Sequence, residues 1–82
     1  MLPTASRQLR QLQNANQPQF KDIVAAITSL AKNPRPPGYR KLANRPEWRI
    51  RVADYRVLFL IDDVRRTVTV SVISHRRDVT GD

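Results

Sequence analysis

The stretch WRIRVADYRVLFLI, residues 48–61, decides the fold. Trp48, Ile50 and Val52 alternate with Arg49 and Arg51, the period of two that marks a strand with one buried face. A second apolar run begins at Tyr55, just past Ala53 and Asp54. With Ala53 and Asp54 as a two-residue turn, Val52 opposes Tyr55, Arg51 opposes Arg56, Ile50 opposes Val57 and Trp48 opposes Phe59. One face of this hairpin carries Trp48, Ile50, Val52, Tyr55, Val57 and Phe59. The other carries Arg49, Arg51 and Arg56, followed by Leu58 and Leu60. Ala-Asp is not a favoured pair for such a turn. A slip of one residue would nevertheless drive the arginines into the core, so the pattern itself holds the register.

Outward from the hairpin, TVTVSVI (residues 67–73) reads as a third strand, joined to the second by DDVRR. The expected strands lie near 48–53, 55–62 and 67–74. Upstream, residues 4–14 are expected to be helical, with Thr4 as N-cap and Ala5, Leu9 and Leu12 near one face. Residues Asn14 to Pro18 break that pattern. A second helix is expected over 18–32, where Phe20, Ile23, Val24, Ile27, Leu30 and Ala31 form an apolar stripe ended by Pro34. NPRPPG (33–38) is a stiff connector, too short to be a domain linker. The order helix, helix, strand, strand, strand predicts an α+β fold: an antiparallel helix pair on one face of a small antiparallel sheet. All 82 residues fit one domain, 1–82.

The formal net charge is +8, and it is concentrated. Residues 35–56 hold Arg35, Arg40, Lys41, Arg45, Arg49, Arg51 and Arg56 against only Glu47 and Asp54, and Arg76 and Arg77 form a second cluster. Such a distribution points to a polyanionic partner. There is no cysteine and one histidine, so a disulfide framework and a thiolate or histidine-rich metal site are excluded. No metal and no cofactor are expected. No apolar run approaches the roughly 20 residues of a membrane span, and the N-terminus lacks the pattern of a signal peptide. The expected location is cytoplasmic, without a membrane partner. Like charges directly opposite each other weaken a sheet by about a few tenths of a kcal/mol. Arg51 facing Arg56 therefore brings folding no benefit and suggests an anion site on that face.

At these residues the chain resembles the RelE/ParE superfamily of bacterial and archaeal toxins. The pieces that carry the resemblance are Lys41-Leu42, Arg49 to Val52, Ala53 to Arg56, and Val72 to Val79, in the family's order and spacing over roughly residues 4–79. The resemblance implies a toxin of a type II toxin–antitoxin pair with an acidic antitoxin partner, as a homodimer or a heterotetramer with that antitoxin. The RelE branch, the closer one on this reading, implies a ribosome-dependent endoribonuclease acting on mRNA. The ParE branch implies a DNA gyrase inhibitor without nuclease activity, and a decayed toxin that only binds its antitoxin is a further alternative. The RelE-type catalytic basic residues fall on Arg49, Arg51, Arg56 and Arg76, with Arg40, Lys41, Arg45 and Arg77 as further phosphate-binding groups. Two departures stand out. The family's strand before the first helix has no counterpart here, and its C-terminal tyrosine falls on Thr80.

Metal-free RNA cleavage needs a base, cations for the phosphorane and an acid for the leaving oxygen. Arginine suits the second role, because a planar, permanently charged guanidinium grips phosphate bidentately. It suits proton transfer poorly. Histidine is the residue type whose ordinary pKa lies near neutrality, so His75 is the expected proton-transfer group. Tyr55 and Trp48 could stack on bases, but the register assigns them to the core.

Overall fold

Pro3 opens the first helix, where a missing N–H and a fixed φ are no disadvantage. A computed structural model describes residues 1–78 and places this helix, α1, at Pro3–Ala15. Its N-cap is Leu2, with extended backbone and no side-chain cap, so Thr4 lies inside the helix instead of capping it. α2 spans Gln17–Lys32, so the two helices are separated by Asn16 alone. Asn16 serves both ends: its N–H donates to the Leu12 carbonyl (2.8 Å), and its Oδ1 accepts from the Gln19 N–H (3.2 Å). A single asparagine thus replaces the longer break expected at 14–18. At the far end, Asn33 donates to the Ser29 carbonyl (2.9 Å) and Pro34 stops the helix.

Four strands follow: β1 (Arg40–Lys41), β2 (Trp48–Val52), β3 (Tyr55–Asp62) and β4 (Thr67–His75), with a 3-10 turn at Arg76–Asp78. They form one antiparallel sheet in the order β1-β2-β3-β4. The β2–β3 register is Trp48↔Phe59, Ile50↔Val57, Arg51↔Arg56 and Val52↔Tyr55, as the alternation predicts. β1 is an addition to the three expected strands. Its two residues are too few to show any period, and it pairs Arg40 with Arg49 and Lys41 with Trp48.

The sheet face bearing Ile50, Val57, Phe59, Val70 and Ile73 packs against Ala5 and Leu12 of α1 and Ile23 and Leu30 of α2. Phe59, Ile23, Leu30 and Val57 are fully buried. Each such side chain contributes about 1.5–3 kcal/mol of transfer free energy, the main stabilising contribution in so small a core. The β3–β4 pairing is broken by a bulge. Leu58 opposes Val72 while Phe59 opposes Val70, so Ser71 is the extra residue and donates its hydroxyl to the Leu58 carbonyl (3.3 Å). No strand precedes α1 among the described residues. The Leu2 N–H donates to the Val70 carbonyl on the outer side of β4 (2.9 Å).

Two features tie the connections down. Arg35 in the proline-rich connector makes a bidentate pair with Asp63 in the β3–β4 turn, at 3.0 and 2.8 Å. That hydrogen-bonded pairing holds the Asp63 carboxyl below its usual range and raises Arg35. Ala53, the first turn residue of the β2–β3 hairpin, has φ +53°, a left-handed value that suits glycine far better than alanine. The Arg76 N–H donates to the Asp54 carbonyl (2.7 Å) and secures the turn from the other side.

Candidate functional site

The sheet face turned away from the helices takes the alternate residues of each strand. Register places two rows across it: Arg40, Arg49, Leu58 and Val72 in one, and Arg51, Arg56 and Ser74 in the next. Two arginine pairs therefore sit directly opposite each other, Arg40 with Arg49 and Arg51 with Arg56, where the sequence alone showed one. Like charges directly opposite each other weaken a sheet by about a few tenths of a kcal/mol where nothing else offsets them. A bound anion would reverse that repulsion.

The face is not uniformly open. Leu58 is only 1% exposed and Arg49 only 8%, so the apolar floor and the stem of one arginine are packed away while Arg40 and Arg51 remain exposed. At 8% exposure the Arg49 guanidinium is withdrawn from solvent along with its stem, so Arg40 and Arg51 are the arginines of this face that meet the solvent most openly. Arg49, Arg51 and Arg56 each make at least one further polar, ring or electrostatic interaction in the fold. Glu47 lies two residues before Arg49 and is 9% exposed. Its carboxylate accepts from Arg45 at 2.6 and 3.3 Å. An arginine already binding a carboxylate here shows the chemistry suited to this end of the sheet, planar and bidentate.

The other residues singled out from the sequence do not all join this face. Lys41 opposes Trp48, and its Nζ donates to the Leu42 and Arg45 carbonyls within the β1–β2 connection. Arg76 sits at the hairpin end of the sheet, 3.7 Å from the Asp54 carboxylate. His75 opposes Tyr55, on the helix side, and its ring meets Tyr55 edge-on at 5.1 Å. The sheet thus lies between His75 and the arginine face. Arg77 accompanies His75, its N–H donating to His75 Nδ1 (3.2 Å). Thr80, the counterpart of the family tyrosine, lies outside the described residues. Tyr39 stacks on Trp48 (centroids 4.9 Å apart), which keeps that indole with the helix-side core. Among the described residues no three histidine or acidic side chains gather as a metal site, and no helix is long and apolar enough to cross a membrane.

A two-helix layer on a small antiparallel sheet, its outer face lined with arginine, is an α+β arrangement consistent with the toxin fold that the resemblance implies. The comparison with protein families assigns it: the chain belongs to the ParE toxin family of type II toxin–antitoxin systems (parDE), whose model matches residues 1–79. The expectation of the RelE/ParE superfamily and its fold therefore holds, while the finer expectation of the RelE branch gains no support from this match. A toxin of this kind has an antitoxin as its partner. No curated protein and no solved structure gave a significant match.

Proposed function

We propose that this toxin acts by gripping an anionic or acid-lined target through its arginine face, without cutting RNA, and that the target is DNA gyrase, as in the ParE branch. The observation that carries this reading is the register. Arg40, Arg49, Arg51 and Arg56 share one face, and the single histidine of the chain sits on the other. Arginines can hold a phosphate or carboxylate but are poor proton carriers. Cleavage would need an acid and a base within hydrogen-bond reach of the same phosphate. A permanently charged, partly packed arginine face is better suited to binding, where fixed guanidinium groups lose little freedom on contact.

On this reading the antitoxin neutralises the toxin by setting acidic side chains against the arginine face. The ribosome-dependent endoribonuclease is the competing reading, with the ribosome and mRNA supplying what the face lacks. Primer extension on translating ribosomes separates the two. Unbroken mRNA at toxin concentrations that stop growth supports the binding reading, whereas discrete cleavage in the decoding site would establish the nuclease.

A further inference from the structure

His75 and Arg77, left aside by the arginine face, border a site of their own. Between the C-terminal half of α1 and the end of β4 lies an open cleft of about 450 Å3, lined by Gln8, Gln11, Leu12, Tyr55, His75 and Arg77 among others. Sites for small molecules run from roughly 300 to 1,000 Å3. The polar groups present mainly donors. Gln8 Oε1 accepts from the Ile73 N–H (2.7 Å), which fixes the amide and leaves Nε2 as a donor. His75 Nδ1 accepts from the Arg77 N–H (3.2 Å), so the neutral ring carries its proton on Nε2. Arg77 adds a guanidinium. The half-buried Tyr55 ring supplies an apolar wall, with the buried Leu12 and Ile73 behind it.

We propose that this cleft binds one ribonucleotide, a site separate from the arginine face and independent of the reading above. A donor-rich wall calls for an acceptor-rich, anionic ligand, and charge-assisted hydrogen bonds to phosphate are the strongest it can make. The phosphate rests on Arg77 and the His75 Nε2–H. The apolar wall is matched by a planar base, since aromatic and aliphatic surfaces take up a ring irrespective of its sequence. The Gln8 and Gln11 amides meet acceptors on the base edge, the role glutamine amides serve in base recognition. Asp78, the carboxylate of the lining, repels a phosphate placed beside it but accepts from a ribose hydroxyl. That last contact selects ribose over deoxyribose.

The test is a titration of the full-length 15N-labelled protein, followed by NMR, with 5′-AMP, 5′-dAMP, adenosine and inorganic phosphate as separate probes. Expected for 5′-AMP are saturable shifts of the Gln8 and Gln11 side-chain amides and of the Ser74 and His75 backbone amides. Phosphate and adenosine should each bind about tenfold more weakly, because each lacks one half of the contacts. 5′-dAMP should bind about fivefold more weakly, for the loss of one hydrogen bond. Arg77→Ala should lower 5′-AMP affinity about tenfold or more, and Arg65→Ala, at the distant β3–β4 turn, should not. Both arginines are exposed, so neither change endangers the fold. Shifts gathered around Arg49, Arg51 and Arg56, equal affinity for 5′-AMP and phosphate, or no saturation by about 10 mM would each overturn the proposal.

Discussion

Replacing Ala53 by glycine should make this protein more stable, and the amount can be worked from the turn. Ala53 is the first central residue of the two-residue β2–β3 turn and has φ +53°. A left-handed conformation costs an L-residue about 1–2 kcal/mol, because Cβ crowds the following carbonyl. Glycine avoids that crowding but loses about 0.5–1 kcal/mol more conformational entropy on folding. The balance favours Ala53→Gly by about 0.5–1 kcal/mol. In a domain of this size that raises the melting midpoint by about 2–8 °C. The turn is held from both sides, by the Val52↔Tyr55 pair and by the Arg76 N–H on the Asp54 carbonyl, so relaxation elsewhere cannot remove the strain. Ala53→Val, β-branched at the same φ, should lower the midpoint. Differential scanning calorimetry of the three proteins reads both signs. An unchanged or lowered midpoint for Ala53→Gly would refute the reasoning.

Other outcomes follow from the packing and the charges. Leu58→Ala should destabilise the protein by about 2–4 kcal/mol in urea denaturation, since a side chain 1% exposed cannot be truncated freely; a loss under about 0.5 kcal/mol would mean that the arginine face has no apolar floor. The Asp63 carboxyl titrates lower in the folded chain than unfolded because Arg35 hydrogen-bonds to it. Its contribution is therefore present above about pH 4 and fades as the pH falls through the depressed folded value. Wild type should outlast Asp63→Asn in thermal melts near neutrality, with the gap narrowing as the pH is lowered; a gap that does not narrow in acid rules the pair out as its cause. Purified antitoxin should raise the toxin's melting midpoint as its concentration rises, and an unchanged midpoint at saturation would contradict a partner that binds the folded state.

The hairpin register was legible because period-two alternation tolerates no slip when one face is arginine and the other Trp48, Ile50, Val57 and Phe59. α2 was legible for the same kind of reason, from an apolar stripe cut off by Pro34. β1 was not, since Arg40 and Lys41 are identified as a strand only by the partner they meet. The placement of His75 was hidden by a single residue. Strict alternation from Val68 and Val70 would set Ser71, Ile73 and His75 on the arginine face. The bulge at Ser71 reverses the parity, turning Val72 outward and Ile73 and His75 towards the helices. A bulge has no reliable sequence signal when serine, valine and isoleucine all tolerate either face. The burial of Leu58 and Arg49 was equally hidden, because it depends on how the long side chains fold down across the sheet.

The central claim, inhibition by an arginine face that binds without cutting, is tested most directly by a gyrase supercoiling assay with purified wild-type toxin and the Arg51→Glu variant. Arg51 is exposed on that face, so charge reversal there should leave the fold intact. The account predicts that wild type blocks supercoiling, that antitoxin relieves the block, and that Arg51→Glu fails to inhibit and is no longer toxic on expression. Uninhibited supercoiling at saturating wild-type toxin, or full inhibition by a folded Arg51→Glu protein, would contradict it.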